Sequence, residues 1–264
     1  MGEGTQEYFG HWSADRPPSL TAVIRTIIPY FARTVKRKLE RFAEMETFPN
    51  VIQPSFAEAF RTEHPLKGNW NRDFFRCERP LILELGCGKG EYTVGMARVF
   101  PSINFIGIDI KGSRIWKGAK IALQENISNA GFLRTRIEFI GSFFAPGEAD
   151  EIWLTFPDPQ LEKKRKRLTA PKFLNVYRMF LKNNGILHLK TDNRILYHYT
   201  LDTVRYNRLE IIRSTEDLYG EAPADPVLSI KTFYEKQFIE QGLAIHYISF
   251  RLPHEKIIEE VPGI

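Results

Sequence analysis

Four carboxylates in this chain sit where chemistry could use them. Glu84 interrupts the apolar run Leu81-Ile82-Leu83, and Asp109 closes a second run, Ile103 to Ile108. Asp158 lies in Phe156-Pro157-Asp158-Pro159, and Asp192 in Lys190-Thr191-Asp192-Asn193. Between the first two acids come Gly86, Gly88 and Gly90 and then a helical pattern from Glu91 to Phe100. Strand, glycine turn, helix, strand and acid make one βαβ unit that takes a nucleotide-like ligand at its carboxyl edge. Glycines let the backbone turn tightly and approach the ligand. An acid about 20 residues further on suits a pair of ribose hydroxyls. Two details separate the possible ligands. The dinucleotide fingerprint wants a small residue where this chain has Glu91, and Glu84 would repel a pyrophosphate. A carboxylate at that place favours a cationic amino-acid ligand, a sulfonium carrying an α-ammonium, and hence a methyl donor.

These acids need elements to carry them. Apolar stripes predict helices over Ser113–Asn129, with Gly131 as the stop, over Pro171–Leu181 and over about Ile195–Tyr206. Strands are predicted at Arg136–Ile140, Glu151–Phe156, Gly185–Lys190, Leu209–Arg213 and Ala244–Leu252. Strands alternating with helices give an α/β fold, a mostly parallel twisted sheet with helices on both faces. In such a sheet the site lies beyond the carboxyl ends of the strands, so Glu84, Asp109, Asp158 and Asp192 should meet on one rim. Each acid also has a plainer role open to it: Asp158 as a turn residue between prolines, Asp192 as the cap of the following helix.

The 264 residues divide by composition. Residues 1–33, punctuated by Gly, Ser and Pro17-Pro18, read as a poorly ordered extension. Residues 34–79 read as a basic helix and a loop-rich lead-in, with Trp70, Phe74 and Phe75 packing or facing substrate. The main domain is expected over 80–253, followed by a tail over 254–264. Two cysteines, Cys77 and Cys87, argue against a disulfide scaffold and for a reducing cytoplasm. No membrane span is expected, because the apolar stretch Val23–Phe31 is short and carries Arg25 and Pro29. The net charge of +5 is concentrated in Lys163-Lys164-Arg165-Lys166-Arg167 and around Arg33, Lys36, Arg37, Lys38 and Arg41. A run of this kind is either solvated surface or a phosphate contact.

Taken in order, ELGCGKGEY, FIGID, WLTFPDP with its basic run, LKTDN and Lys231-Thr232-Phe233-Tyr234-Glu235 resemble the bacterial tRNA (guanine-N7)-methyltransferase family over roughly Lys38 to Pro253. The PDP segment with its basic run is the most specific of these motifs. The resemblance implies a Rossmann-like methyltransferase fold with S-adenosylmethionine as cofactor and tRNA as partner. It also implies no metal, no obligate protein partner, and a monomer or homodimer. It implies that Glu84, Gly86, Gly88, Asp109, Ser142 and Asp158 hold the donor, and that Asp158 is catalytic. Asp192, Thr232 and Glu235 would contact the target guanosine. The family's Trp after PDP is Gln160 here, its Lys is Glu162, and its Asp after the third strand is Ser142; Lys163 or Lys164 would stand in for the missing Lys. Two alternatives stay open. One is a methyltransferase for another RNA, a protein or a small molecule; the other is an RNA-binding module without catalysis.

Overall fold

The computed structural model describes residues 39–61, 63–221 and 225–263. The extension expected over 1–33 lies outside them. The chain forms two compact units, Met1–Glu44 and Met45–Ile264; of the first, residues 39–44 are described and are helical.

The second unit is built on one eight-stranded sheet. Its strands are β1 (Val51–Ile52), β2 (Leu81–Leu85), β3 (Asn104–Asp109), β4 (Ala130–Arg134), β5 (Ala149–Thr155), β6 (Leu181–Thr191), β7 (Ile211–Thr215) and β8 (His246–Leu252). In space the order is β1-β4-β3-β2-β5-β6-β8-β7. Strands β1 to β6 pair in parallel, and β8 runs antiparallel between β6 and β7. The order reverses between β2 and β5, so the crevice of the sheet opens at their carboxyl ends.

The expected class of fold is therefore present, and its two faces differ for a reason visible in the strands. Side chains alternate between faces. Leu81, Leu83 and Leu85 join Ile152, Leu154, Leu187 and Leu189 in one apolar core with Phe173, Tyr177, Leu196 and Val204 of the helices Pro171–Phe180 and Arg194–Tyr206. Glu84, Thr155, His188 and Lys190 occupy the other face, beneath the helix Glu91–Val99. Trp70 belongs to the core. It is fully buried, its Nε1 donates to the Phe143 carbonyl at 2.8 Å, and its ring stacks on Phe144. Phe74 and Phe75 pack against the same core, so these aromatics are structural.

One strand lies elsewhere than the sequence pattern suggests. The third parallel strand is Ala130–Arg134, and Ile137–Ser142 is a 3-10 helix. Gly131 lies inside the strand and does not end the preceding helix. That helix, Gly112–Gln124, is ended by Asn126 at φ 56°, with Asn126 N–H donating to Leu123 O and Ile127 N–H to Ala122 O at 2.8 Å. This is a Schellman ending on asparagine, the second residue after glycine that tolerates the left-handed conformation.

The helix Gly112–Gln124 presses on the glycine loop through Gly118. A methyl there would come within 2.7 Å of the Lys89 carbonyl and 2.9 Å of Gly90 Cα. Both neighbours are backbone, so neither can yield without moving the loop. Gly118→Ala is expected to lower unfolding free energy by ~1–3 kcal/mol in urea titration; an unchanged midpoint would mean that the helix does not bear on the loop.

Candidate active site

The site begins with Glu84. It is 2% exposed in the middle of the sheet, yet it borders a cleft. Its Oε2 accepts the Thr93 N–H at 2.8 Å and the Thr93 hydroxyl, and its Oε1 accepts the Thr155 hydroxyl. These partners are neutral. The carboxyl is pushed up to about 7: burial raises it most, the hydrogen bonds from Thr155 and Thr93 oppose that, and the nearby Asp109 adds to it. A buried acid with hydroxyl partners and an open cleft beside it is a seat for a cation.

The glycine loop supplies the cleft's floor. Gly86, Gly88 and Gly90 adopt φ of 80°, 55° and 69°, a region that side chains with a Cβ disfavour. Gly88 N–H donates to Asp109 Oδ2 at 3.0 Å, and Lys111 N–H to Asp109 Oδ1 at 2.7 Å. Asp109 is thereby fixed at the end of β3. Two clefts adjoin at Gly86. The first is lined by Glu84, Gly88, Thr155, Thr232 and Tyr234, the second by Asp109, Ile110, Thr135, Arg136 and Ile137. An elongated ligand with a cationic amino-acid end and a ribose with a planar base fits this division.

Asp158 follows β5, next to the loop after β2. It is exposed, and its Oδ1 accepts the Gln160 N–H at 3.0 Å. Its loop is strained at both ends, since Phe156 and Gln160 adopt φ of 49° and 45° without being glycine. The strain is held in place: Phe156 N–H donates to Lys190 O at 2.8 Å, and the Arg167 guanidinium donates to Pro159 O at 2.9 Å. Asp158 stands outside the lining of both clefts.

The basic run thus divides. Lys163, Lys164, Arg165 and Lys166 are exposed, whereas Arg167 is buried with its guanidinium 4.4 Å from the Tyr199 ring centroid. Arg167 supports the Asp158 loop from behind and, though buried, also lines the groove that Lys164 borders. Lys166 borders the second cleft, and Lys164 borders a groove with Arg194 and His198.

The remaining sequence candidates fall as follows. Asp192 is half-buried at the end of β6, and burial raises its carboxyl above the usual range. The cap of the next helix is Asn193, whose Oδ1 accepts the Leu196 N–H at 2.9 Å, so the plainer role for Asp192 is taken by its neighbour. Thr232 caps the helix Phe233–Glu240 and borders the first cleft. Glu235 turns inward. It is fully buried and ion-paired with Lys190 at 2.7 Å, which leaves it no surface for a guanosine. Ser142 is displaced too. Because β4 ends at Arg134, the residues that follow it into the cleft are Thr135 and Arg136, while the Ser142 carbonyl accepts the His64 N–H at 2.9 Å. Thr135, Arg136, Thr155 and Tyr234 escaped the sequence reading. For Thr135 and Arg136 the missed signal was the strand run Ala130–Arg134 that ends just before them.

A buried acid at the switch point, a glycine loop and an acid on the neighbouring strand, set in a parallel sheet with one antiparallel strand next to its edge, define a Rossmann-like methyltransferase. The fold agrees with a 30S ribosomal A1408 methyltransferase from an uncultured bacterium, at a TM-score of 0.53 and 17% identity over 72% of this chain and 95% of that one. A family described as putative methyltransferase matches residues 78–248. The tRNA (guanine-N7)-methyltransferase of Bacteroides thetaiotaomicron is 50% identical over 225 residues, 85% of this chain and 89% of the relative. That of Porphyromonas gingivalis is 54% identical over 211 residues, 79% and 86% of the two chains. The chain belongs to the tRNA (guanine-N7)-methyltransferase family, whose methyl donor is S-adenosylmethionine.

The direction of the Glu84 shift has a consequence for donor binding. A cation binds the ionised carboxylate, so below pH 7 the site must first lose a proton. Donor affinity measured by calorimetry should weaken by up to about tenfold per pH unit as pH falls from 7 to 5.5. Glu84→Gln should bind more weakly at pH 7.5 and show little of this dependence. The same slope in wild type and variant would remove Glu84 from the donor site.

Proposed function

We propose that this protein transfers a methyl group from S-adenosylmethionine to N7 of a guanine in tRNA, the activity carried by the names of its relatives. The observation that supports this reading most is the buried Glu84, with neutral partners, at the head of a cleft that continues to Asp109. Glu84 would hold the ammonium end of the donor, and Asp109 the ribose. Gly86 and Gly88 would let the backbone come close. The bound donor supplies an electrophilic methyl on a sulfonium.

Guanine N7 carries a lone pair and no proton, so no general base is needed to make it a nucleophile. What remains is positioning and electrostatics. Asp158 is exposed on a rigid loop beside the first cleft. As a carboxylate it accepts the N1–H and N2–H of the guanine, turns N7 towards the donor site, and stabilises the positive charge that grows on the base. Asp192 and Thr232 stand on the same rim to meet the nucleoside. Lys163 and Lys164, with Arg165 and Lys166, give affinity for the phosphate backbone without sequence choice. The reading requires no second protein. Among the described residues, no helix is long and apolar enough to cross a membrane.

Nucleoside analysis after incubation with bulk tRNA should yield 7-methylguanosine, and incubation with rRNA should not; methylation of rRNA alone would overturn the substrate. Asp158→Ala should lower turnover by at least about a hundredfold with donor affinity nearly unchanged, as for loss of an oriented electrostatic partner. Normal turnover in that variant would exclude Asp158. Replacing Lys163, Lys164, Arg165 and Lys166 by Ser, with Arg167 kept, should reduce the salt slope of tRNA binding by roughly 0.7–0.9 for each phosphate no longer neutralised. An unaltered slope would make the run solvated surface.

A further inference from the structure

Lys190 lies outside the clefts and is fully buried near the end of β6, on the sheet face shared with Glu84. Four acceptors surround its ammonium: Glu235 Oε1 at 2.7 Å, Leu228 O at 2.8 Å, Ile230 O at 3.1 Å and the Tyr219 hydroxyl oxygen at 3.2 Å. Tyr219 OH completes the group by donating to Glu235 Oε1 at 2.5 Å. All of these partners come from the stretch that crosses the sheet after β7. Tyr92 holds the same stretch from the helix Glu91–Val99, its hydroxyl donating to Val227 O at 2.8 Å.

The far end of this stretch enters the site. Glu235 closes a capping box with Thr232, and Thr232 and Tyr234 border the first cleft beside Glu84. Glu91 holds the intervening residue by accepting the Phe233 N–H at 2.9 Å. A second contact, independent of charge, sets the height of the crossing. A methyl on Gly95 would come within 2.7 Å of Ile230 Cγ2, so the chain lies directly on the helix.

A buried ion pair is a poor source of stability, since apolar residues of similar volume often replace it without loss. What apolar residues cannot do is gather two carbonyls and a carboxylate at one point. We propose that Lys190 and Glu235 are positioning residues which, without touching substrate, fix residues 225–235 so that Thr232 and Tyr234 present the acceptor base to the donor cleft. This rests on the methyl-transfer reading above. It gives Glu235 an indirect role in place of the direct contact with guanosine that the family resemblance implies.

The test uses the full chain, with Lys190→Met removing the clamp and Glu235→Gln removing the charge while keeping a side chain able to cap. Hydrogen exchange of residues 225–235, donor affinity, and kcat and KM on tRNA are measured for each. Exchange is expected to speed up in that stretch. Turnover should fall about tenfold to a hundredfold, as for an ångström-scale misplacement of a positioning group. Donor affinity should stay within about twofold of wild type, since Glu84 and Asp109 are untouched. Gly95→Ala should reproduce the pattern more mildly. Unchanged exchange or unchanged turnover overturns the proposal. So does loss of donor affinity in step with turnover, or failure of both variants to fold, because the pair would then serve stability alone. Wild type inactive on tRNA would instead overturn the functional reading, and the exchange measurement would still report on the clamp.

Discussion

The structure depends on an acid placed where a protein ordinarily avoids one. Glu84 sits in a central strand, closed in by Thr93 and Thr155, with its charge balanced by hydroxyl and amide protons only. Its carboxyl is raised above the usual range chiefly by that burial. An acid whose folded value lies above its unfolded value makes the fold less stable as pH rises from about 4.5 towards 7. A bound cation offsets the loss. Ligand binding and the integrity of the sheet are thus coupled through one carboxylate. The surrounding glycines, including the close contact of Gly118 with the loop, make room for the ligand to reach it.

Around this seat the molecule separates two tasks. The donor clefts are centred on the ends of β2, β3 and β4, and the first is closed on the late side of the switch point by Thr155, Thr232 and Tyr234. The groups assigned to the acceptor, Asp158, Asp192 and Thr232, follow β5, β6 and the long crossing after β7. Two of these acceptor groups have a buried support. Arg167 holds Pro159 behind Asp158, and Lys190 holds the stretch that leads to Thr232. Both supports are cations withdrawn from solvent onto backbone carbonyls. This is an expensive arrangement whose effect is to fix loops, because one guanidinium or ammonium binds acceptors that no apolar side chain can.

Much of this was legible in the sequence. The glycine spacing and the acids at strand ends placed the βαβ unit, and parallel strands must bring their carboxyl ends to one rim. The failures have two causes, one local and one remote in sequence. Gly131 looks like a helix stop because glycine usually is one, while Asn126 does that work locally. Arg167 looks like its four basic neighbours, since a charge run does not reveal which member will find a distant carbonyl and a tyrosine ring. Glu235 and Lys190 are 45 positions apart, so their pairing is invisible until the sheet brings them together. Local pattern specifies elements, whereas the direction of a polar side chain is decided by partners remote in sequence.

The most direct measurement of the central claim is the proton balance of donor binding. Calorimetric titration of S-adenosylmethionine at pH 6.5, in buffers of different ionisation enthalpy, should show release of most of one proton per site in wild type, roughly 0.75 for a group titrating near 7. Glu84→Gln should show almost none. Binding without proton release in wild type, or equal release in the variant, would contradict an acid held in wait for a cation.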